Sequence, residues 1–408
     1  MKCRHCNSEV TLQLVDLGSA PPSNAYLTRL TLRRPEKWFP LKVLVCENCW
    51  LVQAESYSRA AELFNEEYAY YSSFSDQWLL HAKTYVSLMC ERFGLTHTSQ
   101  IVEVASNDGY LLQYFKTLGI PCVGIEPTAG TAAAARAKGI ETIEEFFGTS
   151  LASRLRIEGR EADLITANNV LAHVPEINDF VSGFANLLKS TGVATFEFPH
   201  LLQLIAHSEF DTIYHEHFSY LSFTTVQQIC SKNGLEVFDV EELGSHGGSL
   251  RVFAQRSGHG KRAVTRHVAD LVQREAVAGI HTREYYAGFQ ARADLVKNNF
   301  LGFLVEAKRQ GQSVVAYGAA AKGNTLMNYA GIRPDLIPFV VDRNPAKQGK
   351  YMPGSRIPIV PEKQIRESRP DYIVILPWNL REEVLTQLAY AREWGCAFVT
   401  AIPSLEIF

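Results

Sequence analysis

Three absences bound this chain before any motif is read. Its 408 residues hold no apolar run of membrane-spanning length, so no membrane partner is expected. With 40 Lys and Arg against 43 Asp and Glu, the formal charge is -3, and there is no basic field to draw nucleic acid. The first residues, Met1-Lys-Cys-Arg-His-Cys6, carry no apolar leader, which makes the cytoplasm the expected compartment. The glycine loops also lack the Gly-x-Gly-x-x-Gly spacing of a dinucleotide site, so nothing calls for a nicotinamide. What is present is ordinary globular material, 46% hydrophobic and 20% charged, long enough for two or three domains.

Cysteine is scarce, at eight residues, and in a large intracellular chain disulfides are not expected. Cys90, Cys122, Cys230 and Cys396 are scattered and read as small buried hydrophobes. The other four form two Cys-x-x-Cys knuckles, Cys3/Cys6 and Cys46/Cys49. Together they can supply four thiolates to one tetrahedral ion, and soft sulfur ligands at this spacing favour Zn²⁺. Four thiolates leave no open coordination position, so the site is expected to be structural. His5, inside the first knuckle, is a possible but unnecessary competitor.

From about Gln100 short β-rich runs alternate with helical stretches. Ile101–Val104, Cys122–Ile125, Leu164–Ala167 and Val193–Phe198 read as strands, with helices at Leu111–Leu118, Ala129–Lys138 and Ile177–Leu188 between them. That order predicts an α/β fold with a mostly parallel sheet. Residues from Ala263 to Gln310 read as long helices, after which the plan restarts with a strand at Ser313–Tyr317, a Gly-Ala loop and a helix at Thr325–Tyr329. The expected boundaries are a small zinc-binding domain over 1–62, a central Rossmann-like domain over 63–256, and a helical linker with a C-terminal Rossmann-like domain over 257–408.

The first strand holds Glu103 and runs into Ala105-Ser-Asn-Asp-Gly109 and Tyr110, a small-residue turn of the kind that cradles a nucleoside in doubly wound sheets. S-adenosylmethionine, which has no pyrophosphate, suits this turn. Its site wants an acid near the amino group, a glycine for close approach and an acid on the ribose diol. Glu103, Ala105, Asn107, Gly109 and Tyr110 are the candidates in the turn, and Glu126, ending the next strand, is the candidate for the ribose. Phe146, in Glu144-Glu-Phe-Phe147, stands where adenine would lie, and Asn168 ends the fourth strand.

These motifs occur in order with Tyr214-His-Glu-His-Phe-Ser-Tyr-Leu221, His246-Gly-Gly-Ser-Leu-Arg251 and Tyr317-Gly-Ala-Ala-Ala-Lys-Gly-Asn-Thr325. With the two knuckles, they make the whole chain resemble the nucleotide-sugar C-methyltransferases, like the dTDP-sugar C-3 methyltransferases of antibiotic-sugar pathways. The resemblance implies three domains, a monomer, and a dTDP-4-keto-6-deoxysugar as substrate. It implies His217 as the base, Tyr214 as donor to the keto oxygen, and Glu216 as a neighbouring substrate or orienting group.

The chemistry demands such groups. A sugar C–H is acidic only beside a carbonyl, so the site must remove an α-proton and steady an enolate. In an extended strand Tyr214 and His217 would lie on opposite faces, whereas in a turn they could converge. The His-x-His pair also leaves a catalytic metal open, with a third ligand from His173, His200 or His207. His173 faces the cleft or orients its loop through a backbone hydrogen bond. Tyr68 could cap the site over the methyl donor, with core packing the rival role for its neighbours Tyr70 and Tyr71.

In the last third, Lys322 on the Gly318–Gly323 loop could neutralise a diphosphate, with Asn324 and Thr325 adding hydrogen bonds. The alternative is a tight strand–helix turn. His246, Ser249 and Arg251 are further candidates for sugar or phosphate contacts. Asp342 resembles a ribose-binding acid, although a structural cap at Asp342-Arg-Asn-Pro345 suits it equally. The rival functions are O- or N-methylation of a small molecule and non-catalytic binding of a nucleotide sugar.

Overall fold

The computed structural model describes residues 1–57 and 71–408. Tyr68 and Tyr70 lie outside the described residues. Among the described residues, three sheets organise the fold.

The first sheet begins with β1 (Leu12–Ala20), β2 (Phe39–Val45) and β3 (Val52–Ala54), joined antiparallel. Its fourth strand comes from far along the chain, as described below. The two cysteine knuckles sit at one end of this sheet, where Cys3, Cys46 and Cys49 are buried among Val10, Leu44 and Leu51.

The middle of the chain builds a seven-stranded sheet from β4 (Ile101–Val104), β5 (Cys122–Ile125), β6 (Thr142–Ile143), β7 (Ala162–Asn168) and β8 (Leu188–Pro199). These five run parallel, β6-β5-β4-β7-β8. All of β4 is buried, as expected where helices cover both faces of a parallel sheet. On one face Phe147, Phe180, Phe184 and Phe196 interlock with ring centres 4.6–5.7 Å apart. Each buried phenyl contributes roughly 1.5–3 kcal/mol by leaving water. The helix Asp76–Phe93 covers the other face, started by Ser75, whose side chain accepts from the Trp78 N–H, and stopped by Gly94 in the left-handed region.

After β8 the chain leaves this sheet. Its segment β9 (Ser219–Tyr220) pairs antiparallel with β3, completing the first sheet. The chain then returns as β10 (Leu235–Leu243) and β11 (Ser249–Arg256), which close the central sheet antiparallel beside β8.

The helices Arg266–Ala278 and Phe289–Arg309 lead to a third sheet of β12 (Val314–Tyr317), β13 (Val340–Val341), β14 (Ile359–Val360), β15 (Tyr372–Ile375), β16 (Ala397–Thr400) and β17 (Glu406–Ile407). Its order is β14-β13-β12-β15-β16-β17, parallel except for the last strand. The helix after β12 begins at Ala321, four positions earlier than the expected Thr325. Gly323 is a helical residue here, and it is glycine because a Cβ at that position would stand 2.7 Å from the Leu376 Cβ. Among the described residues, no helix is long and apolar enough to cross a membrane.

Candidate active site

One cleft, with room for about 390 Å³, runs between the carboxyl ends of the central strands and the start of the C-terminal sheet. Among the expected site residues it is lined by Ala105, Asn107, Tyr110, Glu126, Phe146, Asn168, His173, Tyr214, His217, His246 and Lys322. Glu103, Gly109, Glu216, Ser249, Arg251, Asn324 and Thr325 do not line it.

The turn after β4 is built from left-handed residues, with φ of 54° at Ala105, 49° at Asn107 and 75° at Gly109. Gly109 was expected to let the cofactor approach. Instead, a Cβ there would meet the Ile140 Cδ1 at 2.4 Å, so this glycine serves the packing of the turn on its neighbouring helix. Glu103 is buried inside β4, where desolvation holds its carboxyl well above the usual range. Glu126 does reach the cleft: Oε2 accepts from the Asn107 N–H at 2.9 Å and Oε1 from the Thr128 N–H at 2.9 Å. Two backbone donors thus fix the carboxylate's plane and leave further lone pairs for a diol. Asn107 Oδ1 in turn accepts from the Ser72 N–H at 2.9 Å. The half-exposed Phe146 ring lies at the rim. This arrangement fits the adenosyl part of S-adenosylmethionine.

Deeper in, Tyr214-His-Glu-His217 forms a turn rather than a strand, closed by the His217 N–H donating to the Tyr214 carbonyl at 2.9 Å. The turn brings the Tyr214 and His217 rings to 3.9 Å between centres. His217 Nδ1 is 2.7 Å from the Thr212 carbonyl, and His173 Nδ1 is 2.8 Å from the Glu216 carbonyl. A carbonyl only accepts, so each Nδ1 carries the proton and each Nε2 is an acceptor. Burial holds the His173 imidazolium down to about 4; burial first, then His173, hold that of His217 well below its ordinary value. His173 thus hydrogen-bonds a backbone carbonyl and also lines the cleft.

Glu216 does not itself line the cleft, though its partner Asn24 does. Its Oε1 accepts from Asn24 Nδ2 at 3.3 Å, and burial pushes its carboxyl up to about 7. Of the other histidines considered for a metal, His215 Nε2 faces the carbonyls of Phe39 and Pro40 at 3.3 Å, His200 Nε2 faces Glu275 Oε1 at 2.7 Å, and the exposed His207 has Nδ1 3.7 Å from Glu209 Oε1. Among the described residues, the one group able to hold a metal is the cysteine quartet.

Lys322 sits in the first turn of its helix and enters the cleft from the opposite wall. Its Nζ lies 3.4 Å from the His246 carbonyl, 3.5 Å from Asn379 Oδ1 and 4.4 Å from the centre of the Trp378 ring. Burial lowers its pKa, opposed by the nearby acids Asp211 and Glu209. Because the helix starts early, Thr325 faces inward and donates to the Ile213 carbonyl at 2.9 Å, while Asn324 is fully buried. Arg251 is drawn into an ion pair with Glu197 at 3.1 Å and Glu241 at 3.2 Å, and Ser249 donates to the Ser245 carbonyl at 2.9 Å. Asp342 is a cap, accepting from the Ala319 and Asn344 N–H groups at 2.8 Å each.

Asn24, Trp78 and Lys347 are among the lining residues that the sequence does not single out. Trp78 stacks on His81 and Tyr110 and meets His246 edge-on at 5.4 Å, so it joins the two halves of the cleft. No sequence signal marks it, since an aromatic on a helix reads as core.

The four knuckle sulfurs lie within 4.8 Å of one another, with Cys3–Cys49 and Cys6–Cys46 at 3.5 Å. A tetrahedral Zn²⁺ with bonds of about 2.3 Å needs sulfurs about 3.8 Å apart, so the quartet fits. His5 instead turns to Asn178 Oδ1 at 2.8 Å.

Comparison with known proteins places these features together. A zinc binding domain model matches residues 3–64, a methyltransferase domain model matches 80–240, and a C-methyltransferase C-terminal domain model matches 244–403. The chain is 33% identical over 406 residues to the C-methyltransferase NovU of Streptomyces niveus, covering 100% of this chain and 96% of that protein. Among solved structures, the PH0226 protein of Pyrococcus horikoshii is 16% identical, covering 46% of this chain and 95% of its own, at a TM-score of 0.39. Magnesium protoporphyrin IX methyltransferase of Synechocystis, solved with S-adenosylmethionine, is 14% identical, covering 44% and 79%, at 0.34. With its cysteine quartet, nucleoside cradle and full-length likeness, this chain belongs to the S-adenosylmethionine-dependent, zinc-binding C-methyltransferases.

Proposed function

We propose that the chain methylates a ring carbon α to the ketone of a nucleoside-diphosphate 4-keto-6-deoxysugar, with dTDP as the nucleotide and C-3 as the carbon. The observation that carries this reading is the meeting of Tyr214, His217 and His173 in the same cleft as the nucleoside cradle, with Lys322 on the facing wall. Bound S-adenosylmethionine supplies an electrophilic methyl group.

The chain's own residues do the rest. His217 Nε2 takes the α-proton, because Nδ1 is tied to Thr212 and cannot turn into the cleft. The Tyr214 hydroxyl donates to the oxygen on which enolate charge gathers. Lys322 meets the diphosphate, and His246 borders the sugar. Ser249, Arg251, Asn324 and Thr325 support these walls from behind, and Glu216 holds the turn. Domains bounded at 62/63 and 256/257, a monomeric state and a cytoplasmic setting complete the reading.

The deciding experiment is incubation with a panel of dTDP- and GDP-keto sugars, with mass spectrometry of the products. Methylation at carbon on a dTDP-4-keto-6-deoxysugar is expected. Methylation at oxygen or nitrogen, or of substrates with no ketone, would overturn it. In D₂O the α-hydrogen should exchange without methyl transfer.

A further inference from the structure

The zinc quartet lies in a different sheet from the cofactor cradle, yet the chain joins it to the catalytic turn by a short path. Gln53, fully buried in β3, donates from Nε2 to Cys3 Sγ at 3.3 Å and accepts through Oε1 from the Arg4 N–H at 3.0 Å. Arg4, inside the first knuckle, extends its guanidinium as a fork. Nη1 donates to the Phe218 carbonyl at 3.0 Å and Nη2 to the Ala54 carbonyl at 2.7 Å. Phe218 is the residue after His217. Its carbonyl also accepts from the Ala54 N–H at 3.1 Å, and the next two residues pair with β3 as Gln53↔Ser219 and Val52↔Tyr220. On the other side, the Phe218 N–H donates to the Ala172 carbonyl at 2.8 Å, beside His173.

We propose that the zinc knuckle is part of the positioning apparatus of the active site, with Arg4 and Gln53 transmitting its fixed geometry to the backbone that carries His217. The inference rests on the catalytic reading of the Tyr214–His217 turn. The physical basis is that a metal-held turn is stiff, and a planar guanidinium bonded to two carbonyls fixes both distance and orientation. A two-residue strand such as β9 has too few bonds of its own to hold a base to the fraction of an ångström that proton transfer requires. Arg4 and Gln53 are positioning residues, since neither lines the cleft.

The test is Arg4→Met in the full-length, zinc-loaded protein. Zinc content and S-adenosylmethionine affinity should stay at wild-type values, because the cradle stands on β4 and β5. Amide hydrogen exchange over 214–220 should quicken, and kcat should fall about 10- to 100-fold while KM changes little. Arg4→Lys, which can reach one carbonyl at a time, should recover part of both. Should Arg4→Met shed zinc, Ala54→Pro removes a donor to Phe218 without touching the knuckle, and the same readouts decide.

Unchanged exchange over 214–220 overturns the proposal. Quickened exchange with intact turnover also overturns it. His217→Asn then shows which statement has fallen: an inactive His217→Asn leaves the catalytic turn standing and removes only the clamp, whereas an active one removes both.

Discussion

The imidazoles of His173 and His217 stand 4.6 Å apart between ring centres, and each donates its Nδ1 proton to a backbone carbonyl. Both rings line one cleft, each with Nε2 as the acceptor nitrogen of its neutral form. Burial first, and then the neighbouring His173, disfavour charge on His217.

His217→Asn should lower turnover by about 10²–10⁴-fold, the usual range for loss of a general base. S-adenosylmethionine binding, followed by calorimetry, should survive because the cradle lies on other elements. Near-normal turnover would remove His217 as the base.

Acidification should destabilise the fold through these rings. An unfolded His173 titrates near 6.5 while the folded ring is held to about 4, so between those values the unfolded chain binds the extra proton. Its contribution of about 3 kcal/mol is full above pH 6.5, falls as pH drops toward 4, and is gone below. Glu216 acts in the opposite sense. Its folded carboxyl is raised to about 7 from 4.5, so its contribution is present below pH 4.5 and is lost as pH rises through 7. Denaturant titrations of wild type and His173→Gln across this range isolate the first effect, and equal slopes would count against it.

Glu126→Gln should weaken S-adenosylmethionine binding about 10- to 100-fold, the worth of a charge-assisted hydrogen bond, and should also lower the thermal midpoint, since the amide NH2 must face one of the two buried backbone N–H donors. Gly109→Ala should act on stability alone. Its Cβ collides with Ile140 at a left-handed position, costing about 1–3 kcal/mol of stability. A cofactor-affinity loss at Gly109 larger than the stability loss would restore the approach role expected from sequence.

Lys322→Met should weaken binding of dTDP about 10- to 100-fold and leave S-adenosylmethionine affinity unchanged. Calorimetry with each ligand separates the two, and equal losses would place Lys322 outside the substrate half.

Local patterns carried much of the fold. Ile101–Val104 and Cys122–Ile125 read as strands because short β-rich runs bounded by turn residues suit a doubly covered sheet, and they are strands in the structure. The helix expected at Thr325–Tyr329 starts earlier, at Ala321, because Gly318 and Gly323 read like loop punctuation, whereas Gly323 is demanded by contact with distant Leu376. Arg251 looked like a ligand for phosphate because Glu197 and Glu241, which hold it, come from other strands. Trp78, Asn24 and Lys347 meet in the cleft only through tertiary folding.

The partner of β3 arrives late in the chain, as β9. On the ribosome, β3 emerges well before Ser219–Tyr220 and presents an open row of amide and carbonyl groups in the interval. Early zinc loading cannot close that row, since closure needs the segment that also carries the catalytic turn. The same two residues that seat the turn therefore cover the edge that β3 leaves open until they are made.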